Sequence, residues 1–319
     1  MLRNLTEYHW AEHIDDALLL MTRLDVKTVP LAGGTHLLGL DDASIEAVVD
    51  LRELGLSYIS EDSQGNIHIG AMTPLQNIAD APLLKSFASG LLARTAQTSS
   101  SSRLIRNSAT IGGTLGAGIA SQADLLTALS LLEAQVVVRS GSKTSVNLSG
   151  GTEERPGLAL SGVVFRGKQE RRIACDDVVR GERRPSELIV EVVIPPMRAT
   201  STTAFTRIGR TPTDRTLLHV AALVELEHDV YQRVRLAFGG INMEPTRMLV
   251  LERSLEGQHI DDSKSILTAI QAGMSEFRPP TDVHVSGGYR RVSGVKLAQR
   301  GIEEATYLAR LMSLEGQRR

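Results

Sequence analysis

Two glycine-rich stretches decide how the first half of this chain folds: LAGGTH at residues 31–36 and NSATIGGTLGAG at residues 107–118. The second has four glycines within the seven residues 112–118, which argues against a helix or strand interior and predicts an irregular loop. Glycine lets successive backbone N–H groups point toward one spot, forming a nest for phosphate oxygens. Two nests predict a ligand with two phosphates, such as a dinucleotide, while two tight turns without a ligand are the alternative.

Hydrophobic patterning around these stretches predicts alternating helices and strands, followed by an antiparallel set of strands with helices. The strands predicted in the first part are Val26–Leu31, Ile45–Leu51, Asn66–Gly70, Gln135–Arg139 and Leu188–Ile194. The helices predicted there are Ile14–Leu24, one that starts at Pro74, and Asp124–Glu133. The polar segment Ser140–Arg171 has no sustained period and is predicted as a loop or excursion. Beyond a predicted domain boundary at Pro195-Pro196 come strands Thr203–Ile208, Val220–Leu226 and Val234–Phe238 and helices Thr246–Leu255, Ser263–Met274 and Lys296–Met312.

The composition excludes several classes of protein. Among 319 residues, 35 Lys and Arg nearly balance 37 Asp and Glu, so a net charge of −2 gives no electrostatic attraction to nucleic acid. The single cysteine, Cys175, can form no intrachain disulfide, iron–sulfur cluster or Cys-rich zinc site, and it is compatible with a reducing cytoplasm. The longest apolar run near the N-terminus, Ala17–Met21, is much shorter than the roughly 20 residues of a membrane span. We therefore expect a cytoplasmic protein with no membrane span, no nucleic-acid partner and no metal of its own.

Better-known motifs fit the sequence less well. The chain lacks G-x-G-x-x-G, and residues 162–168 match most of a P-loop except that Gln169 stands where the magnesium-binding Ser or Thr is needed. His9–His13 matches H-x-x-E-H but straddles the predicted start of a helix, which favours a chance match over a zinc site. His36 could contact a phosphate or tether a flavin, although an ordinary loop histidine is favoured. The basic cluster Arg180–Arg184 predicts a solvated or subunit-contact face.

Taken in order, the two glycine-rich stretches and several others resemble the flavin-binding medium subunits of molybdenum hydroxylases, the carbon monoxide dehydrogenase and xanthine dehydrogenase flavoproteins. The resemblance covers nearly the whole chain and depends on the ordered set, since either Gly-Gly loop alone is a weak signal. Its residues are Leu31–Leu38, Asp50-Leu51, Ile69–Ala71, Ile105–Gly113, Asp124, Glu187–Ile189, Ile194-Pro195, Phe205, Arg207, Arg210, Asp214, Gly239-Gly240, Pro245 and Tyr289–Arg291.

The resemblance implies an α+β fold with two parts. The first is a two-subdomain FAD-binding fold of the vanillyl-alcohol-oxidase/PCMH type, and the second is a C-terminal α+β domain with an antiparallel sheet plus helices. The implied limits are 1–197 for the FAD-binding domain, with subdomains at about 1–55 and 56–197, and 198–319 for the C-terminal flavoprotein domain. FAD would lie between the two subdomains, and the C-terminal domain would close over one side.

The resemblance also implies FAD-binding residues and no catalytic residue, because the flavin itself carries the redox chemistry. Asp124 would accept a hydrogen bond from a flavin or ribityl group, Ile189 would contact the flavin region, and Arg207 stands where the family usually has a lysine. The implied FAD-binding residues are Leu31, Ala32, Gly33, Gly34, Thr35, His36, Leu37, Thr110, Ile111, Gly112, Gly113, Thr114, Asp124, Ile189 and Arg207.

By the same resemblance the chain is an oxidoreductase subunit that transfers electrons. A molybdopterin-binding large subunit would oxidise the substrate, an iron–sulfur subunit would pass electrons to FAD, and FAD would reduce NAD or another acceptor. Two alternatives stay open. Thr114 replaces an asparagine that the family often has, which motivates a structural subunit of the same fold that has lost FAD. His36 as a covalent anchor motivates a stand-alone flavin oxidoreductase.

Overall fold

Four β-sheets and their covering helices make up the described part of the chain. The computed structural model describes residues 2–118, 123–141, 143–145, 163–165, 169–211 and 214–316. The strands are β1 (Glu7–Trp10), β2 (Thr28–Leu31), β3 (Ala47–Asp50), β4 (Ile59–Glu61), β5 (Ile67–Gly70), β6 (Gln135–Ser140), β7 (Lys143–Ser145), β8 (Val163–Phe165), β9 (Gln169–Ala174), β10 (Glu187–Ile194), β11 (Ser201–Ile208), β12 (Leu218–Glu227), β13 (Val230–Gly240) and β14 (Met243–Arg247). The α-helices are α1 (Ile14–Met21), α2 (Leu75–Asp80), α3 (Pro82–Ser86), α4 (Leu91–Thr98), α5 (Arg103–Ser108), α6 (Ile111–Ala117), α7 (Ala123–Leu131), α8 (Cys175–Val179), α9 (Leu249–Leu255), α10 (Ser263–Gly273) and α11 (Gly287–Gly316).

The first sheet is small and parallel, with β3 between β1 and β2. All four residues of β3 are buried, because the strand has a neighbour on each side and α1 packs against the sheet. The start of α1 follows from its sequence: the His13 main-chain N–H donates to the Asp16 carboxylate at 3.2 Å, which fixes the first turn. Ala17 and Leu18 then face the core. This unit presents the loop after β2 to the rest of the chain.

The second sheet has the order β4-β5-β10-β6-β9 and is antiparallel throughout. Its central strand, β10, is apolar on both faces, as expected for a strand covered on both sides. Val192 and Ile194 belong to the main core, which includes residues of α2, α4 and α7. Val190 and Val193 belong to another core, which they share with α1 and β3. The sheet therefore lies between the helical layer and the first unit.

The third sheet is an antiparallel meander, β11-β12-β13-β14, covered by α9, α10 and α11. Its core contains Phe238 and Phe277, whose ring centroids lie 4.9 Å apart. A buried arginine, Arg290, ties the start of α11 to this sheet, donating hydrogen bonds to the carbonyl oxygens of Leu217 and Ile241. β7 and β8 pair as a separate two-stranded sheet.

Most predicted elements are confirmed, including the alternation in the first part and the antiparallel set after Pro195-Pro196. Two predictions about extent are wrong, and a third is made more specific. Within its described residues, the segment Ser140–Arg171, predicted as a loop or excursion, contains the paired strands β7 and β8 and the start of β9. Residues 243–247 pair with β13 as β14 instead of starting a helix, and the last helix begins at Gly287, nine residues before the predicted start at Lys296. The P-loop-like segment at 162–168 lies largely outside the described residues.

The prediction that the glycines at 112–118 exclude a helix is also wrong. α6 runs through Gly112, Gly113 and Gly116 and ends before Gly118, whose φ is +56°. Packing overrides propensity here: a Cβ atom on Gly112 would stand 2.7 Å from the Cβ atom of Ala71. His9 lies on β1 and His13 precedes α1, so the H-x-x-E-H match is not carried on a helix. No helix in the described ranges is both long and apolar enough to cross a membrane.

The second sheet carries a pH-sensitive ion cluster that yields a first prediction. His68 on β5 lies 3.2 Å from an Asp62 carboxylate oxygen and 3.1 Å from a Glu191 oxygen. Burial lowers the pKa of His68, but the hydrogen bonds with Asp62 and Glu191 outweigh burial and raise it. A raised folded-state pKa stabilises the fold fully below the unfolded value of about 6.5, and this stabilisation disappears as pH rises through the folded-state value.

We therefore expect wild type to exceed His68→Gln in free energy of unfolding at about pH 6, and this difference to shrink toward about pH 9. The change should be modest, about 1 kcal/mol or less, because the cluster is partly exposed. Urea unfolding followed by circular dichroism at several pH values measures it. A difference that stays constant or grows with pH would contradict the assigned protonation.

Candidate functional site

A cavity of about 320 Å³ opens where the loop after β2, the N-terminal end of α6 and the start of β10 meet. Its volume lies within the range of about 300–1,000 Å³ that is typical of small-molecule sites. Its lining residues are Val29, Pro30, Ala32, Gly33, Gly34, Thr35, His36, Leu37, Leu40, Leu51, Ala71, Met72, Ala109, Thr110, Gly112, Gly113, Thr114, Gly116, Ala117, Arg183, Glu187, Leu188 and Ile189.

The loop after β2 forms one wall of the cavity and presents open main-chain N–H groups. Gly33 packs so closely on the end of α5 that a Cβ atom there would stand 1.7 Å from the Ser108 carbonyl oxygen. Gly34 has a φ of +69°, in the left-handed region that favours glycine. Among the described residues, no acceptor is found for the N–H groups of residues 33–36, all of which line the cavity. These four donors can bind an anion.

The second glycine-rich stretch reaches the same cavity, but the N–H groups of Ile111, Gly112 and Gly113 are already bonded. Thr110 caps α6, and its hydroxyl oxygen accepts a hydrogen bond from the Gly113 N–H at 3.0 Å. The N–H of Gly112 donates to the Ala71 carbonyl oxygen at 2.8 Å, and that of Ile111 donates to the Thr73 carbonyl oxygen at 3.1 Å. The spacing predicted two nests. The structure has one open nest, with the second stretch as its close-packed neighbour.

Most of the predicted cofactor-binding residues come together at this cavity. They are Ala32, Gly33, Gly34, Thr35, His36, Leu37, Thr110, Gly112, Gly113, Thr114 and Ile189. Leu31 and Ile111 are not among the lining residues. Leu31 packs on a small apolar cluster at the first sheet, and Ile111 is fully buried in the main core. Both residues anchor the glycine-rich stretches by packing in apolar clusters and do not line the cavity.

Asp124 and Arg207 approach each other in a different polar cluster, and neither is among the residues that line the cavity. One Asp124 carboxylate oxygen lies 3.0 Å from His219 Nδ1, and the other accepts a hydrogen bond from the Thr216 hydroxyl at 3.1 Å. Burial raises the pKa of Asp124, but His219, Thr98 and Arg207 outweigh burial and hold it below its ordinary value. The cluster joins α7 to the third sheet, since His219 lies on β12.

Two charged residues of the cavity, Arg183 and Glu187, were not assigned to a binding site from the sequence. The cluster Arg180–Arg184 was expected to form a solvated or subunit-contact face, and Arg183 departs from a fully solvated one. Its side chain is half-buried at the cavity because the chain turns back just before β10, so that its Nη1 donates to the Glu187 carbonyl oxygen. The position of the cluster, immediately before the strand that carries Ile189, was the available signal.

The Glu187 carboxylate is neutralised within the protein. Its side chain is 1% exposed and accepts two hydrogen bonds from Arg171, at 2.7 and 2.9 Å. The main-chain N–H of Arg184 donates a third at 2.9 Å. Arg171 contributes most to lowering the pKa of Glu187, against the opposing effect of burial. This pairing offsets the repulsion that Glu187 would exert on an anion in the cavity.

Two family models match consecutive parts of the chain. Residues 3–150 match the FAD binding domain in molybdopterin dehydrogenase, and residues 203–305 match the CO dehydrogenase flavoprotein C-terminal domain. The chain therefore belongs to the family of FAD-binding flavoproteins of molybdopterin dehydrogenases. FAD as the cofactor, and an FAD-binding domain followed by a C-terminal domain, are thereby confirmed.

The chain is also similar to named proteins of this kind. It is 25% identical over 294 residues to the glyceraldehyde dehydrogenase medium chain of Sulfolobus acidocaldarius, which covers 89% of this chain and 92% of that protein. It is 33% identical over 120 residues to the nicotinate dehydrogenase FAD-subunit of Eubacterium barkeri, over 36% of this chain and 39% of that one. Its fold matches carbon monoxide dehydrogenase from Hydrogenophaga pseudoflava with a TM-score of 0.78 at 21% identity, over 97% and 99% of the two chains. These relatives are parts of dehydrogenases, and this chain is likewise an oxidoreductase subunit.

The residues at the cavity fit FAD on chemical grounds. The pyrophosphate needs hydrogen-bond donors, and the open N–H groups of residues 33–36 are such donors. The flat rings need apolar and small surfaces, which Leu51, Met72 and Leu188 offer in the same cavity.

Replacing Gly33 by alanine should weaken FAD binding by about tenfold or more, because the new Cβ atom would push the loop away from Ser108 and displace the open N–H groups. Titration of the FAD-free chain with FAD, followed by flavin fluorescence, measures the dissociation constant. Gly39→Ala is the matched control, since a Cβ atom at Gly39 meets nothing within 4 Å. Equal affinity of the Gly33→Ala variant and wild type would show that this close packing does not shape the site.

Proposed function

We propose that this chain is the electron-transfer flavoprotein subunit of a molybdenum hydroxylase complex. It would take electrons from an iron–sulfur subunit and pass them through FAD to NAD or another acceptor. The observation that carries the proposal is the cradle of open N–H groups at residues 33–36, which lines a cavity in the part of the chain that matches the FAD-binding domain. Bound FAD supplies the ability to store two electrons and exchange them singly.

The protein's own part in this function is to bind and orient the cofactor. In the proposal, the loop Ala32–His36 hydrogen-bonds the pyrophosphate. Thr110–Thr114 forms the adjoining wall of the cavity and keeps the loop after β2 in position. Ile189 contacts the flavin region from β10. Asp124 and Arg207 serve the flavin end. The assignment of Asp124 is supported by the chain path, since the end of α6 lines the cavity and Asp124 lies in the first turn of the next helix. Arg207 is proposed with it because its charge acts on Asp124.

The proposed partners follow from what this chain lacks and from the names of its relatives. One cysteine cannot hold an iron–sulfur cluster, so an electron relay must come from another subunit. Relatives named medium chain and FAD-subunit indicate a complex of several chains. We expect a molybdopterin-binding large subunit and an iron–sulfur subunit, assembled in the cytoplasm.

The proposal divides the chain at residue 197. The FAD-binding domain would span 1–197, with subdomains at about 1–55 and 56–197, and the C-terminal domain would span 198–319. This division is supported by Pro195-Pro196 directly after β10, and by family models that end at residue 150 and begin again at 203. The first sheet also lies entirely before residue 51.

The complex isolated with this chain should contain non-covalent FAD, iron and a molybdenum cofactor, and its flavin should become reduced when substrate is added without oxygen. Absorbance spectra before and after substrate, with metal analysis of each separated chain, measure this. In a complex carrying Gly33→Ala, substrate should still reduce the iron–sulfur centres while reduction of the acceptor falls. The Gly39→Ala complex should behave as wild type.

Two outcomes would replace this proposal by the alternatives. A folded chain that assembles with its partners but never binds FAD would be a structural subunit. A chain that retains flavin after acid denaturation, without co-purifying partners, would be a stand-alone flavin oxidoreductase.

A further inference from the structure

Within the described residues, the run of four main-chain N–H groups at the cavity without a protein acceptor belongs to the loop at 33–36, so the negative charge of a phosphate ligand still has to be matched. The N–H groups of residues 33–36 are open, whereas those of Ile111, Gly112 and Gly113 already have acceptors in the protein. Main-chain N–H groups carry no net charge, and a pyrophosphate ester carries two negative charges. A ligand of this class is bound best where a fixed cation also faces the cavity.

Arg183 is placed to be that cation. Among the described residues that line the cavity, it is the one lysine or arginine. Its Nη1 donates to the carbonyl oxygens of Arg184, at 3.2 Å, and Glu187, which fixes the guanidinium beside β10. Two backbone bonds of this kind hold the group in place without neutralising it.

The charge of Arg183 is not paired within the described part of the chain. No carboxylate there forms an ion pair with it, because the nearby Glu187 binds Arg171 through both oxygens. Burial lowers the pKa of Arg183, with the charge of Glu187 opposing this effect. Because an arginine stays protonated in proteins, a partly desolvated guanidinium of this kind gains from an anionic ligand.

We propose that Arg183 binds the phosphate groups of the ligand in this cavity and so makes the site select phosphate-bearing dinucleotides over free flavins. The inference rests on the proposed FAD-binding function. The guanidinium has a planar set of donors that matches phosphate oxygens. Both carbonyl oxygens accept from Nη1, and in the proposal the N–H groups of Nε and Nη2 bind the ligand. The loop at 33–36 and Arg183 then contact the phosphates from two sides.

The test uses the full-length chain freed of flavin and compares Arg183→Met with Arg183→Lys and wild type. Methionine keeps an unbranched apolar side chain and removes the charge, while lysine keeps the charge without the planar donors. Arg184→Met is the matched control, since Arg184 is the exposed next residue and does not line the cavity. The dissociation constants of FAD and riboflavin are measured by fluorescence, and those of ADP and adenosine by competition, at several salt concentrations.

Arg183→Met should raise the dissociation constants of FAD and ADP by about 10- to 100-fold and reduce the salt dependence of their binding. The dissociation constants of riboflavin and adenosine should change by less than about twofold. Arg183→Lys should recover part of the loss, and Arg184→Met should match wild type. Unchanged FAD and ADP affinities in Arg183→Met, or an equal loss for adenosine and riboflavin, would overturn the assignment.

A failure of the proposed function looks different, because folded wild type would then bind no FAD at any salt concentration. If Arg183→Met does not fold, two other measurements test the role of Arg183. They are the loss of FAD and ADP affinity in Arg183→Lys and the salt dependence of ADP binding by wild type. ADP binding by wild type that is no more sensitive to salt than adenosine binding would also contradict the role of Arg183.

Discussion

The candidate site depends on one close approach between two backbones, that of Gly33 against the carbonyl of Ser108. Any side chain at residue 33 would collide with the main chain at the end of α5. Because glycine is present, the loop after β2 can lie directly on the helical layer of the neighbouring unit. In that position residues 33–36 line the cavity, and no acceptor for their N–H groups is found among the described residues. The binding surface is thus a consequence of packing, with few specialised side chains.

The central strand of the second sheet, β10, fixes the distance between the helical layer and the unit that carries the loop after β2. β10 contributes alternate side chains to two cores, one with the helices and one with α1 and β3. Its start also contributes Glu187, Leu188 and Ile189 to the cavity. A strand buried on both faces resists displacement, since movement in either direction would open a core. The same strand therefore serves stability and places the ligand-facing residues.

Much of this arrangement could be predicted from sequence. Hydrophobic periodicity was sufficient to predict the alternating helices and strands and the antiparallel meander. Glycine spacing was sufficient to locate the two glycine-rich stretches. The helix α6 was missed because the need for glycine at residue 112 comes from a contact with Ala71, a residue 41 positions earlier in the chain. The acceptors of the Ile111 and Gly112 N–H groups, Thr73 and Ala71, are likewise distant in the sequence. Arg183 was taken for a surface residue because the burial of a charged side chain depends on where the chain turns, and composition does not report that.

The most direct measurement is a crystal structure of this chain with FAD bound. The account predicts that the pyrophosphate oxygens accept hydrogen bonds from the main-chain N–H groups of residues 33–36, while the bond from Gly112 to Ala71 stays intact. It would be contradicted by FAD bound with its pyrophosphate out of hydrogen-bonding reach of those four N–H groups.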